Sequence, residues 1–429
     1  MKATIAIAVA LSLPGVAAAG DEARTRRVSV SPEGKAGNLQ SMLCDVAPAG
    51  STVAFDSLAS NLVRSDTNGS SDVFVSDGPR HVERVSLTSR GRQARGFNEN
   101  PSISATGRFV SFTSSTYDLA QPGNRNRRMT VFVHDRDTGR TTRASDRSDG
   151  RRAFGHSYDS SISRSGRYVA FVSNAPDLAM KGDDNGVEDV FVHDRKTGKT
   201  NRVSLSRRLD DPNRDSSWPA ISGNGRYVAY ASAASNLVRR DRNDSVDVFV
   251  YDRVERRTDL VSVAADGSRS RDYSWAPSIS ADGRYVAFTS YASLAKTDAA
   301  PEDVYLHDRE TGVTEHVSVG FGGAANGRSD YASMSDDGRY VAFVSTADNL
   351  VLGDTNGVSD VFVRDRVEQT TTRVSVGDEG QQGNDASYTP PSLSPDGTFV
   401  CWSTAATNLD DTPDNHPDRE DVFLRGPLF

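Results

Sequence analysis

Four short loops of alternating oxygen-bearing side chains offer the clearest chemistry in this sequence. Each has the form D-x-N-[GD]-x-x-D and runs directly into a hydrophobic segment such as "VFVRD". Carboxylate and amide oxygens with this spacing suit a hard cation such as Ca²⁺, which takes six to eight oxygen ligands. The candidate metal ligands are Asp66, Asn68, Asp72, Asp183, Asn185, Asp189, Asp241, Asn243, Asp247, Asp354, Asn356 and Asp360.

The same four loops also have a purely structural interpretation. Asp and Asn side chains form Asx turns, and Asn-Gly reverses the chain direction. The loops lack the distal bidentate Glu of an EF-hand, so backbone carbonyls and water would have to complete a calcium shell. Two repeats carry degenerate versions, "GNRNRRMTVF" at 123–132 and "DAAPEDVY" at 298–305. Ca²⁺ is therefore the candidate cofactor, and the sequence leaves metal binding and turn formation both open.

Signals for catalysis are poor. The sequence contains neither a G-x-S-x-G elbow nor an H-E-x-x-H motif. Three of the seven histidines, His134, His193 and His307, repeat at one strand position, and we expect them at the surface or in hairpins. The glycine-rich stretch at 320–327 precedes no helical pattern, so it is a weak phosphate-loop candidate. We assign no catalytic residue and expect a protein without enzymatic activity.

The elements that position these loops follow from an internal repeat. A unit of the form S-x-x-G-R-Y-V-A-F recurs at intervals of 55 to 59 residues, with its glycine at 50, 107, 166, 225, 283, 338 and 397. Each unit offers four segments rich in Val, Phe, Tyr and Thr, separated by Gly, Asp and Asn turn signals. Four antiparallel strands repeated radially are the blades of a propeller. The sequence therefore predicts an all-β fold, a seven-bladed β-propeller of four-stranded antiparallel blades.

The two ends of the chain predict how the ring closes. The last unit stops at "DVFLRGPLF" without a fourth strand, and residues 25–34 carry an orphan fourth-strand sequence. This N-terminal strand should complete the last blade and leave no open sheet edge at the seam. We expect one propeller domain over residues 20–429, with blades beginning near residues 44, 101, 160, 219, 277, 332 and 390.

The only two cysteines lie near this closing junction. Cys44 should precede the first strand of blade one, and Cys401 lies in "GTFVCW" of blade seven. In an exported protein this arrangement suggests a disulfide bond. The alternative is two separately buried thiols, because the sequence alone does not give their separation.

The N-terminal sequence and the net charge indicate the location of the protein and the partners that it can bind. Residues 1–19 combine Lys2, an apolar run and the small residues Ala17 to Ala19, a pattern typical of a cleaved secretion signal. They contain the only long apolar run, so we expect no membrane span in the mature chain. The net charge of -8 argues against a nucleic-acid partner. We expect a secreted or periplasmic monomer.

The repeat resembles a known family. "SADGRYVAF" at 280–288 and "SDDGRYVAF" at 335–343, each followed by D-V-[FY]-[VL]-x-D, are similar to the WD40-like PD40 repeat of TolB-type propellers. The resemblance covers essentially all of the mature chain. It implies an exported propeller that acts through protein interaction. Two departures separate this chain from TolB, which has six blades behind a separate N-terminal domain, whereas seven blades and a short arm are expected here.

Antiparallel order also predicts where a ligand site lies. The turns between strands one and two and between strands three and four share one face of the ring. The loops between strands two and three and the blade connections share the other, which we call the loop face. The loop face carries the Asp/Asn loops and six aromatic residues that precede successive glycine anchors: Phe97, Tyr158, Trp218, Trp275, Tyr331 and Tyr388.

These aromatics allow two functional hypotheses. Aromatic side chains near a channel mouth could stack on sugars or grip a peptide, although packing between blades explains one aromatic per blade equally well. The favoured hypothesis is a binding or scaffold propeller for a protein or a cell-wall or extracellular polysaccharide, stabilised by Ca²⁺. The alternative is a polysaccharide lyase or glycosidase with a site at the channel mouth. Such an enzyme should carry residues that break the repeat, and His156, Tyr158 and Asp159 are examples.

Overall fold

The fold is a closed ring of seven blades. The computed structural model describes residues 22–116, 118–120, 128–178, 185–239, 241, 243–270, 272–295, 302–412 and 419–429. These residues form seven four-stranded antiparallel sheets, one small hairpin and one short 3₁₀ turn. None of their helices is long and apolar enough to cross a membrane. The predicted signal sequence lies outside the described residues.

Blades two to six have identical strand lengths of six, six, six and four residues, whereas blades one and seven have shorter strands. The first three consist of Ser41–Val46, Val53–Ser57, Asp72–Ser76 and Val82–Arg84; Asn98–Ile103, Phe109–Ser114, Thr130–Asp135 and Arg140–Arg143; Ser157–Ile162, Tyr168–Ser173, Asp189–Asp194 and Lys199–Arg202. The next three consist of Ser216–Ile221, Tyr227–Ser232, Asp247–Asp252 and Arg257–Leu260; Ser274–Ile279, Tyr285–Ser290, Asp303–Asp308 and Val313–His316; Ser329–Met334, Tyr340–Ser345, Asp360–Asp365 and Thr370–Arg373. Blade seven consists of Ser392–Leu393, Val400–Thr404, Asp421–Gly426 and Arg24–Arg27. The hairpin pairs Val319–Gly320 with Gly323–Ala324, and the 3₁₀ turn is Pro48–Gly50.

The N-terminal strand closes the ring as predicted. Arg24–Arg27 pairs antiparallel with Asp421–Gly426 and supplies the fourth strand of blade seven. A disulfide bond between Cys44 and Cys401 joins blade one to blade seven, with a Cα to Cα separation of 6.3 Å. Cys44 lies within the first strand of blade one rather than before it. Hydrogen-bonded strands and a covalent bond therefore both hold the seam.

The first strands begin earlier than the sequence indicates in six of the seven blades. They start at residues 41, 98, 157, 216, 274 and 329, each three residues before the expected position, whereas blade seven starts at residue 392. The register of these six strands shifts at a β-bulge, which follows the second residue in blades two to six and lies between Ser41 and Cys44 in blade one. A bulge interrupts the alternation of inward and outward side chains, which is the signal that sequence reasoning follows.

The hydrophobic core lies between the blades. The described residues contain seven buried clusters, one at each junction between neighbours, including the seam between blades seven and one. Within each blade a buried aromatic pair spans the second and third strands, as Phe171 and Phe191 do at 5.9 Å between ring centroids. The core is thus thin and distributed, as a propeller requires.

The residues of the repeat motif stabilise one another. In blade four the Arg226 guanidinium makes a two-pronged ion pair with Asp252, and equivalent pairs occur in blades two, three, five and six. The Tyr168 ring of blade three packs against Gly225 of blade four, where an added Cβ would lie 2.2 Å from a ring carbon. Arg253 stacks on the same ring at 4.2 Å. The G-R-Y and D-R segments therefore have a structural role.

The repeated histidines lie in the hairpins of strands three and four, but they are buried, which corrects the expectation of a surface position. His134, His193 and His307 are each at most 7% exposed. In each case Nδ1 lies 2.9 Å from the hydroxyl of a threonine on the fourth strand of the same blade. Burial lowers the pKa of all three, to about 4 for His193, so the rings are neutral structural groups at neutral pH.

Candidate ligand site at the channel mouth

The two ends of the central channel differ. On the turn face, the S-x-x-G turns of successive blades are linked by backbone hydrogen bonds, such as those from Arg164 to Gly223 and from Ala281 to Asp336. The Arg164 guanidinium also pairs with the Asp336 carboxylate, joining blades three and six, which are not neighbours in the ring. These contacts obstruct the channel on the turn face. A ligand is therefore expected to enter from the loop face.

The β-bulges shape the mouth on the loop face. The third residue of the first strand has a positive φ in five blades, although none of these residues is glycine: Asn100, Asp159, Trp218, Ala276 and Tyr331. A bulge redirects side chains at functional sites, and non-glycine residues in this conformation are uncommon. Four of them, all but Asn100, line a cavity of about 170 Å³ together with Pro390 of blade seven.

One side of the mouth is aromatic. Trp218 and Trp275 meet edge to face with ring centroids 5.5 Å apart, and Trp275 and Tyr331 do so at 5.0 Å. Trp218 and Tyr331 are 6.2 Å apart. We call these three residues of blades four to six the aromatic wall. Trp218 remains 39% exposed, so the wall presents a ring surface to a ligand.

The other predicted aromatics lie apart from this wall. The Tyr158 hydroxyl donates to the Glu188 carboxylate, which raises the tyrosine pKa, although burial is the larger cause. Phe97 and Tyr388 are 56% and 62% exposed, and no described ring contact joins them to the wall. The six aromatics occupy four different positions relative to the glycine anchors, and Phe97 and Tyr388 lie outside the first strands. The structure brings together only three of the six.

The opposite side of the mouth is acidic. Asp159 lies at the bulge of blade three, and burial followed by the nearby Glu99 and Glu188 raises its pKa to about 6. Burial also raises the pKa of Glu99. We call Asp56, Glu99, Asp159 and Glu188, from blades one to three, the acidic wall. Sequence reasoning singled out only Asp159 among them.

Asp56 is the most unusual member of the acidic wall. It is 1% exposed, and its Oδ1 has no hydrogen-bond partner among the described residues. Burial, and then the charges of Glu99 and Glu420, raise its pKa to about 8, while the backbone N–H of Asn100 donates to its carboxyl group. The other blades carry Thr113, Val172, Ala231, Thr289, Val344 and Ser403 at this register position. "VAFDS" therefore breaks the repeat, and this departure is a signal that could have identified Asp56.

A cation neutralises the carboxylates next to the aromatic wall. Arg328 pairs with the buried Glu302 and, at 2.9 Å, with Asp330. Burial raises the pKa of Glu302 to about 7, although Arg328 opposes this shift. In contrast, no described ion pair joins Lys or Arg to the acidic wall or to Glu420. The mouth is therefore polarised, with aromatic rings and a balanced charge on one side and uncompensated carboxylates on the other.

The comparisons with known proteins support the fold. No family model and no curated protein matches this sequence. The propeller is similar to oligogalacturonate lyase in complex with manganese, with 12% identity, 94% of this chain and 93% of that chain covered, and a TM-score of 0.55. It is similar to the β-propeller domain of the Trilobed protease from Pyrococcus furiosus, with 9% identity, 91% and 94% covered, and a TM-score of 0.50. TolB from Acinetobacter baumannii is 14% identical, with 79% of this chain and 65% of that chain covered and a TM-score of 0.43.

The chain has the β-propeller fold. Its repeats and seven blades are consistent with the TolB-like PD40 repeat that the sequence resembles. At identities of 9% to 14% the likeness is one of fold alone, and the chain spans 65% of the TolB chain. One similar protein is in complex with manganese, so a metal is compatible with this fold. The described residues here contain no group of three His, Cys, Asp or Glu side chains placed to hold a metal ion.

The Asp/Asn loops form closed polar networks. In all four, the Asn side chain donates to the Asp that begins the third strand, at 2.7 to 3.2 Å, and accepts from a backbone N–H two residues later. In three, an arginine lies 3.1 to 3.5 Å from that Asp: Arg84, Arg202 and Arg373. In blade four, Arg269 lies 3.9 Å from Asp241. Asp183 lies outside the described residues. Calcium binding by these loops stays a prediction.

Proposed function

We propose that this chain is an exported, non-catalytic binding propeller that holds a protein partner at the channel mouth of its loop face. The observation that carries the proposal is the polarised mouth, in which the aromatic wall faces the acidic wall. Aromatic rings combine apolar contact area with a fixed shape, and they are enriched in protein interfaces. A protein is favoured over a neutral polysaccharide because basic side chains can compensate the acidic wall, whereas neutral sugars carry no positive charge.

Export is the second part of the proposal. Residues 1–19 have the pattern of a secretion signal, and the disulfide between Cys44 and Cys401 is a feature of oxidising compartments. Both support a secreted or periplasmic location. Fractionation of the native host and mass spectrometry of the mature N-terminus test this part. A chain that retains Met1 and stays with cytoplasmic proteins would contradict it.

Photo-cross-linking from the two faces tests partner binding. A photoreactive amino acid at Trp218 should capture a discrete protein in intact cells, whereas the same group at Glu255, on a turn of the opposite face, should not. Replacement of Trp275 and Tyr331 by Ala should reduce the capture from position 218 strongly, because both rings belong to the proposed surface. Equal capture from both faces, or capture that survives loss of the two rings, would contradict the proposal.

A carbohydrate-active enzyme is the second candidate. Carboxyl groups with raised pKa values opposite an aromatic surface are the groups that glycosidases use, and Asp159 and Asp56 have this character. The acidic wall would repel a polyanion such as an oligogalacturonate, so a neutral or amino sugar suits it better. This candidate would be favoured if the native protein and Asp137→Asn release reducing sugar ends and Asp159→Asn does not. Complete inactivity on a panel of such glycans would disfavour it.

A further inference from the structure

We propose that the acidic wall binds a primary ammonium group, presented by a lysine side chain of the partner while the neighbouring peptide lies on the aromatic wall. This inference rests on the proposed function and deepens it by naming the recognised chemistry. It depends on three features of the described residues: an uncompensated set of carboxylates, a buried oxygen without a partner, and a cavity that fits one side chain.

The first feature is the charge balance of the acidic wall. Glu99 and Asp159 are half-buried, and Asp159 has only acidic neighbours that shift its pKa. Glu188 accepts from a neutral donor, the Tyr158 hydroxyl. Other aspartates of the blades have a partner arginine, as the buried Asp252 has Arg226 and the buried Asp360 has Arg373. The acidic wall is therefore prepared for a positive charge that the described residues do not supply.

The second feature is a buried carboxyl oxygen without a hydrogen-bond partner among the described residues, and it does not depend on the charge balance. Asp56 Oδ1 is buried and has no hydrogen-bond partner, although buried polar atoms are almost always satisfied. Its carboxyl group lies at the bulge of blade two, since the backbone N–H of Asn100 donates to it, and it interacts with Glu99. Thr289 accepts from the backbone N–H of Tyr331 at 3.2 Å in the equivalent place, so support of the bulge does not require a carboxylate. A donor from a ligand would satisfy the free oxygen.

The third feature selects the kind of cation. Asp56, Glu99 and Asp159 come from three different blades, so their oxygens approach from different directions. The Asp56 carboxyl, whose pKa is raised to about 8 by burial, offers an oxygen rather than a charge at neutral pH. An ammonium group has three donors around a compact charge, whereas a guanidinium is a planar fork suited to a single carboxylate. The cavity of about 170 Å³, which is lined by Asp159 of the acidic wall and by Trp218 and Tyr331 of the aromatic wall, holds a single side chain rather than a folded element. The methylene stem of lysine can then lie on the aromatic wall while its charged end reaches the Asp159 carboxylate.

The experiment titrates the full mature protein with blocked peptides and follows the fluorescence of Trp218 and Trp275. The probes are acetyl-Ala-Lys-Ala-amide, the same peptide with its lysine acetylated, the arginine analogue, and 1,5-diaminopentane. We expect the lysine peptide to bind at least about tenfold more tightly than the acetylated peptide, since a charge-assisted hydrogen bond contributes about that much. The affinity should fall as salt screens the charges.

Matched variants decide where the peptide binds. Glu99→Gln combined with Asp159→Asn should weaken the lysine peptide at least about tenfold, since it removes two of the compensating charges. Asp137→Asn changes a carboxylate on the opposite face and should leave the affinity unchanged. Denaturant unfolding of each variant checks that the propeller remains folded. Equal affinity for the acetylated peptide, or an unaffected double variant, would overturn the inference.

Two further outcomes separate this inference from the proposed function. If no lysine probe binds while cross-linking from position 218 still captures a partner, the ammonium assignment is wrong and partner binding stands. If cross-linking fails as well, the proposed function is wrong.

Binding of 1,5-diaminopentane as tight as that of the lysine peptide would overturn the peptide assignment and favour a free amine. Tighter binding of the arginine analogue would overturn the choice of ammonium over guanidinium.

Discussion

Replacement of Asp56 by Asn should change the pH dependence of stability in a defined direction. The pKa of Asp56 is raised to about 8 in the folded protein by burial and by Glu99 and Glu420, whereas an unfolded aspartate titrates near about 3.9. Between these values the folded state keeps its proton and the unfolded state loses it. The free energy of unfolding must therefore fall as pH rises through this window, since the native state binds more protons.

The magnitude follows from the proton difference. One proton held only by the folded state changes the free energy of unfolding by about 1.4 kcal/mol per pH unit. From pH 5 to pH 7 the wild-type protein should therefore lose about 2.7 kcal/mol relative to Asp56→Asn, which has no such proton to hold. Other carboxylates with raised pKa values, such as Asp159, affect both proteins alike.

Denaturant unfolding at pH 5, 6 and 7 measures this difference. The two profiles should converge near pH 4 and separate as pH rises, with the variant more stable. Asp135→Asn is the matched control, because Arg108 is the main cause that lowers the pKa of Asp135, to about 2. The stabilising effect of that ion pair is lost only as pH falls through about 2, so its removal should shift the profile without changing its slope between pH 5 and 7. Parallel profiles for wild type and Asp56→Asn would refute the assignment of a buried, protonated Asp56.

Three other perturbations test the ring and its loops. Substitution of both Cys44 and Cys401 by Ser should lower the free energy of unfolding by about 2–5 kcal/mol, measured by denaturant titration, and an unchanged midpoint would show that strand pairing alone holds the seam. Gly225→Ala should lower the free energy of unfolding more than Gly198→Ala does. Both glycines have a positive φ near 70°, but only the Cβ at position 225 would clash with Tyr168. Equal losses in denaturant unfolding would show that the tyrosine ring relaxes freely. If the loops bind calcium, calcium should raise the thermal midpoint of the native protein and not that of a quadruple Ala variant, in which the changed residues are Asp72, Asp189, Asp247 and Asp360. An unchanged native midpoint would show that the loops are turns whose aspartates are held by arginines, as three of them are in the structure.

The sequence predicted the ring because its local signals are strong and repeated. Each S-x-x-G turn needs a glycine at positive φ, and each G-R-Y-V-A-F segment combines β-forming residues with the arginine and tyrosine that bind neighbouring elements. Closure by the N-terminal strand followed from an incomplete last unit. These features depend on short stretches of sequence, so they are visible without knowledge of distant contacts.

The channel mouth was harder to predict because it depends on bulges and on distant residues. Positive φ at Trp218 and Tyr331 has no signature in the sequence, since these residue types rarely adopt it. The six predicted aromatics do not come together, because a bulge moves neighbouring register positions to different faces. Asp56 approaches Glu420 only after the ring closes.

The division between repeated and unrepeated residues explains where a ligand can act. The repeated arginines, aspartates, tyrosines and glycines are occupied by one another, and their ion pairs and stacking contacts leave few groups for a partner. Asp56 and Asp159 of the acidic wall have no acidic counterpart at their register positions in the other blades, and the contacting rings of the aromatic wall are confined to blades four to six. Because seven similar blades surround the axis, any asymmetry of the mouth must come from such departures. Recognition by this propeller therefore depends on the few positions where the repeat is broken.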